Sequence, residues 1–125
     1  MIKIINVDDT DVLALEVTGK FTSEDYDKII PVFENKIRKE GRIKIYIEFD
    51  DFDSIEPGAI WKDLKFDVKH YNDFSRIAVV GDEKWMDWMT KSIAPFTSAK
   101  VRYFSKSDRV LAKRWLSEAA EVKEL

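Results

Sequence analysis

Between Ser75 and Gly81 the chain carries Ile77-Ala78-Val79-Val80, four apolar residues in a row without polar alternation. A run of that kind suits a strand buried on both faces, as in parallel sheets covered by helices on each side. Its neighbours supply the rest of such a sheet. Residues 42–49 alternate, with Ile43, Ile45, Ile47 and Phe49 on one side and Lys44, Tyr46 and Glu48 on the other. Val101 and Tyr103 mark a last strand. Residues 2–8 and 12–20 are apolar-rich runs separated by Asp8-Asp9-Thr10-Asp11, the pattern of a hairpin with an acidic turn.

Helical patterns fall between the strands. Thr22 with Asp25 three residues on forms a capping-box-like start. Tyr26, Ile29, Ile30, Phe33 and Ile37 then share one face, Pro31 lies away from that stripe on the solvent side, and Gly41 ends the element. Residues 57–73 read as a second helix with Pro57 at its first position. Asp82 can cap a third running to about Ile93. Ser105, with Asp108 three later, opens a fourth carrying Val110, Leu111, Trp115 and Leu116. The order β-β-α-β-α-β-α-β-α predicts an α/β fold with a mixed, mostly parallel five-stranded sheet, its last three strands parallel through right-handed crossovers. No linker or repeat interrupts the chain, so residues 1–125 are expected to form a single domain.

Composition narrows the chemistry. The absence of cysteine removes disulfides, thiolate catalysis, Cys-ligated zinc and iron–sulfur clusters. It also suits a reducing cytoplasm, the expected location given an N-terminus that reads as a strand and not as a signal peptide. A net charge of −3 argues against nucleic-acid binding. No apolar run approaches the roughly 18 residues of a membrane span.

Asp50, Asp51, Asp53 and Glu56 follow the third strand, but they lack the spacing of a dedicated metal loop and read as a solvated loop. His70, the one histidine, lies seven residues after Asp63, a conceivable acid/base pair on the second helix. No nucleophile motif and no phosphate-binding glycine loop accompanies them, so no catalytic residue, metal or cofactor is expected. In residues 83–96, Trp85, Met86, Trp88, Met89 and Ile93 share one broad helical face. The second helix has a main stripe of Ile60, Trp61, Leu64, Val68 and Tyr71, and a second of Ala59, Phe66 and His70. Two apolar faces imply contact beyond the sheet, which places an aromatic seam or cleft between the second and third helices. Such a seam is either ordinary core, or a cleft for an apolar ligand or membrane surface.

The stretch Gly58-Ala59-Ile60-Trp61-Lys62-Asp63-Leu64-Lys65, with His70, residues 73–82, Trp85, Pro95-Phe96, Arg102-Tyr103-Phe104 and Trp115-Leu116, resembles the SpoIIAA-like proteins of bacteria. These are related to STAS domains and described with a fold like the CRAL-TRIO (Sec14) lipid-binding domain. The resemblance covers nearly the whole chain. It implies a hydrophobic pocket under mobile helices and binding of a lipophilic ligand or a membrane. On that basis Trp61, Phe66, His70, Trp85, Trp88, Met89 and Phe96 are the expected pocket or lid residues. Antagonists of anti-sigma factors with a STAS fold are switched by serine phosphorylation in an Asp-Ser-Ser-Gly-type loop. The comparable loop here, Asp53-Ser54-Ile55-Glu56-Pro57-Gly58, keeps Ser54 but has Ile55 at the second serine position. The expected function is a non-enzymatic binding module for a lipid-like molecule, with His70 or a lysine orienting its head group. The alternative is a STAS-like regulatory domain that docks a protein partner through the loop around Ser54. A homodimer is compatible with either, although no sequence feature specifies one.

Overall fold

The computed structural model describes residues 1–6, 11–82, 86–87, 90–91 and 94–118. Its elements are β1 (Ile2–Asn6), β2 (Val12–Phe21), α1 (Ser23–Glu40), β3 (Ile43–Ile55), α2 (Pro57–Lys69), β4 (Phe74–Val80), β5 (Lys100–Phe104) and α3 (Arg109–Ser117). The strands described form one sheet in the order β1-β2-β3-β4-β5. β1 pairs antiparallel with β2, and every later pairing is parallel, so the mixed α/β sheet is as expected and its parallel part is four strands long.

Local chemistry sets the ends of α1. The Thr22 hydroxyl accepts a hydrogen bond from the Asp25 amide at 3.0 Å, and the Asp25 carboxylate accepts one from the Thr22 amide at 3.0 Å, a complete capping box. Pro31 lies on the exposed side. Gly41 closes the helix at φ 83°, a conformation that favours glycine. Gly81, just after β4, leaves room for the Met86 side chain. A side chain there would collide with the Met86 sulfur, 2.3 Å from where its Cβ would stand.

The sheet has two different sides. One carries Leu15, Ile45, Phe49 and Val79 toward α1 and α2. The other carries Ala14, Tyr46, Ala78, Val80 and Phe104 toward α3, where Ala112 and Leu116 are buried. On this second side the Tyr46 hydroxyl donates to Glu48 at 2.6 Å, and Arg109 of α3 grips the same carboxylate at 2.8 Å. The sequence pattern of α3 counted Val110 and Leu111 toward its core stripe, but both are exposed and Ala112 takes the contact. Ala112 has no accessible surface, so the smallest residue of the turn is the one against the sheet.

A second correction concerns residues 50–55. They are strand, not the acidic loop expected, and β2 pairs with them through Gly19–Phe52, Lys20–Ser54 and Phe21–Ile55. The register shifts between Val17 and Lys20, opposite Asp51, which has φ 48°. An extra residue of this kind turns the following side chain to the other face. It brings Phe49 and Phe52, three positions apart, into edge contact at 4.9 Å. A strict period of two cannot reveal such a strand.

The assignment of faces in α3 is directly testable. Replacing Leu116, which is buried, by alanine is expected to cost about 2–4 kcal/mol in urea unfolding. Leu111→Ala, on the exposed side, is expected to stay within about 0.5 kcal/mol.

Candidate functional site: an apolar cavity with a buried carboxyl pair

α1 and α2 lie side by side over the same sheet face and are tied together along their outer edges. Lys62 pairs with Asp27 at 2.7 Å and Lys69 with Glu34 at 3.1 Å. His70, the C-cap of α2, reaches the same Glu34 at 3.3 Å and Asp73 at 2.6 Å. Beneath this bridge the helices do not fill the sheet face. A cavity of about 680 Å³ remains, with Ile45, Ile47, Phe49, Ile77 and Val79 as its floor and Tyr26, Ile29, Phe33, Ala59, Leu64 and Phe66 as its walls. Ile60 and Phe96 also line it and are each about half exposed, which puts them at its rim.

Phe66 stands at the centre of an aromatic cluster. Its ring centroid lies 5.3 Å from Phe33, 5.9 Å from Phe74 and 6.3 Å from Tyr26. Within this apolar surface the polar lining groups are Tyr26, Asp63 and Asp67. The Tyr26 hydroxyl donates to Asp63 at 2.7 Å. Asp63 and Asp67 lie one helical turn apart, close enough for their carboxyls to interact. Burial is the main reason the Asp67 carboxyl rises from an ordinary value of 3.8 to about 9, with the charge of Asp63 adding to it. Burial likewise raises Asp63, offset by the hydrogen bonds from Tyr26 and Asp67. Tyr26 is pushed up by burial and then by Asp63. Burial and the closeness of the two carboxyls therefore favour retention of a proton by the pair above the ordinary carboxylate range.

The residues expected from sequence divide. Phe66 and Phe96 line the cavity. Trp61 is 63% exposed on the outer face of α2. His70 packs against the Phe66 ring at 4.4 Å but spends both ring nitrogens on Asp73 and Glu34, so it is not paired with Asp63. Trp85, Trp88 and Met89 lie outside the described residues, as does most of the third helix expected from Asp82 to Ile93. Ser54 is half-buried in β3, opposite Lys20, and is not in a loop. Of the acids around it, Asp50 pairs with Lys106, and Glu56 accepts from the Ser23 amide at 2.9 Å. Among the described residues no three acidic or imidazole groups converge as a metal site. The two stripes of α2 are exchanged relative to expectation: Ala59 and Phe66 face inward with Asp67, whereas Ile60, Trp61, Val68 and Tyr71 are exposed. Sequence reasoning missed Tyr26 and Asp67 as site groups, and weighed Asp63 only as a partner for His70. The i, i+4 spacing of Asp63 and Asp67 on either side of buried Phe66 was the available signal.

A family model described as SpoIIAA-like matches residues 12–117. The crystal structure of an uncharacterised protein with a SpoIIAA-like fold from Shewanella loihica PV-4 superposes with a TM-score of 0.73 at 31% identity, covering 93% of this chain and 92% of the other. No curated protein matches the chain in sequence.

The carboxyl pair makes stability depend on pH in a definite direction. Between 3.8 and about 9 the unfolded chain has released a proton that folded Asp67 keeps, so stability falls as pH rises across that window. The slope is at most about 1.4 kcal/mol per pH unit. Asp67→Asn keeps a donor for Asp63 and has no proton to lose. Thermal unfolding across this range is expected to show a variant with a flatter profile, more stable than the parent at the alkaline end. A parent profile already flat would show that Asp67 titrates normally.

Proposed function

The chain belongs to the SpoIIAA-like family, and on that premise we propose that it is a binding module for an apolar small molecule held under α1 and α2. One observation carries the reading: a cavity of about 680 Å³ whose lining is apolar apart from Tyr26, Asp63 and Asp67. That volume lies within the roughly 300–1,000 Å³ of small-molecule sites. Burial of a hydrocarbon chain would supply affinity at about 25 cal/mol per Å². The carboxyl pair supports the same reading, because a proton-sharing pair in an apolar wall lowers stability above its ordinary titration range and perturbed groups of this sort concentrate at functional sites.

A second reading, peripheral membrane association, is favoured by the outer face of α2. Ile60, Trp61 and Val68 are exposed there, Tyr71 is exposed just beyond the helix end, and Lys62, Lys65 and Lys69 lie on the same helix. Apolar side chains with an aromatic anchor and flanking lysines suit a helix lying in a lipid interface. Among the described residues no helix is long and apolar enough to cross a membrane. The two readings are compatible, since Ile60 belongs both to the cavity rim and to the exposed face.

Titration with N-phenyl-1-naphthylamine, a neutral apolar fluorophore, tests the cavity. Saturable enhancement at one probe per chain is expected, weakened roughly tenfold or more by Ala59→Phe, which fills the space from the first turn of α2. Absence of saturable binding, or binding indifferent to that substitution, contradicts the reading. Trp61→Asp is expected to keep probe binding while reducing sedimentation with anionic vesicles. Unchanged sedimentation removes the membrane reading alone.

A further inference from the structure

The polar composition of the cavity also selects the chemistry of its ligand. Its lining holds two carboxyl groups and a phenol, and no Lys, Arg or His among the described residues. The basic groups near α2 are already engaged outside it, Lys62 with Asp27, Lys69 with Glu34, and His70 with Glu34 and Asp73. A fatty-acid carboxylate or a phosphate head would enter an apolar site with no cation to pair with and two carboxyls to oppose it. Burying a charge without a partner is strongly unfavourable. The same site suits a cation, because a carboxyl pair that gives up its shared proton becomes a desolvated anionic acceptor.

We propose that the natural ligand is a lipophilic amine, a single apolar chain ending in a primary ammonium that seats between Asp63 and Asp67. The inference rests on the cavity being a ligand site and adds the class of ligand it takes. The ammonium has three donors, enough to bond both Asp63 and Asp67, and its chain lies along the Phe33, Phe66 and Ile77 surface. The balance is simple: R–NH₃⁺ enters, the proton shared by the two carboxyls leaves to solvent, and no covalent bond changes. Of the groups facing the pair, Tyr26 comes from α1, and the strands beneath offer only apolar side chains. The Tyr26 hydroxyl keeps its bond to Asp63 in either state. Because the pair surrenders a proton on binding, affinity for the amine should rise with pH until Asp67 ionises by itself near 9.

Isothermal titration with decylamine, 1-decanol and sodium decanoate, each below its micellar concentration, tests this. Decylamine is expected to bind at least roughly tenfold more tightly than decanol, with decanoate weakest and with a binding heat that depends on buffer ionisation. Asp67→Asn, which retains a hydrogen-bond donor, is expected to weaken decylamine by roughly tenfold and to leave decanol within about threefold. If decanol or decanoate binds as tightly as decylamine, or if Asp67→Asn leaves the amine unaffected, the amine assignment falls and the apolar cavity stands. If none of the three binds, and the neutral fluorophore does not bind either, the cavity reading falls with it.

Discussion

Inside an apolar enclosure a carboxyl group has few options, and the contact between Tyr26 and Asp63 records how this protein meets that constraint. The 2.7 Å hydrogen bond joins α1 to α2 across the cavity, where each alternative partner is a hydrocarbon or another acid. Removing water makes every polar contact there stronger and every missing one costlier. Asp63 is consequently held by a phenol from one helix and a carboxyl one turn along its own. Retention of a proton by the pair follows from the same scarcity, because two adjacent carboxylates cannot both remain charged out of water.

That arrangement depends on how differently the two sides of the sheet are covered. Under α3 the packing is closed. Ala112 allows the helix to approach, Trp115 covers Phe104 with ring centroids 5.8 Å apart, and Tyr46 and Arg109 together satisfy the buried Glu48 carboxylate. Under α1 and α2 the apolar strands are just as continuous, and the helices meet through Tyr26, Phe33 and Phe66 and through ion pairs along their outer edges, yet a hollow remains. Exposed ion pairs of this kind contribute little to stability individually. Their value here is geometric, since they fix the distance between the helices that bound the cavity.

Much of this was legible in the sequence. The apolar run Ile77–Val80 placed the strand β4, buried under helices on both faces, the Thr22–Asp25 pattern located the start of α1, and the strand–helix alternation gave the parallel connections. The bulge at Asp51 hid the second half of β3, because one extra residue breaks the alternation and leaves acids where a strand continues. The site was legible only in part. Phe66 and Phe96 were among the pocket residues that the family resemblance implied. The inward face of α2 was misjudged because amphipathic reasoning assigns Asp63 and Asp67 to water. They face inward as a pair that one proton and one phenol make tolerable, a solution that periodicity does not encode. His70 drew attention by being unique, yet its place at the end of α2 delivers it to Glu34 and Asp73 at the edge of the site.

The central claim is that two carboxyls share a proton in an apolar wall, and carbon-13 NMR of the aspartate side-chain carboxyls reads this directly. With Asp63 and Asp67 assigned by their asparagine variants, the account predicts that the pair retains one proton until the pH approaches about 9, far above the ordinary 3.8. Release of both protons in the ordinary range would mean that water reaches the pair freely, and would contradict both the enclosed cavity and the function built on it.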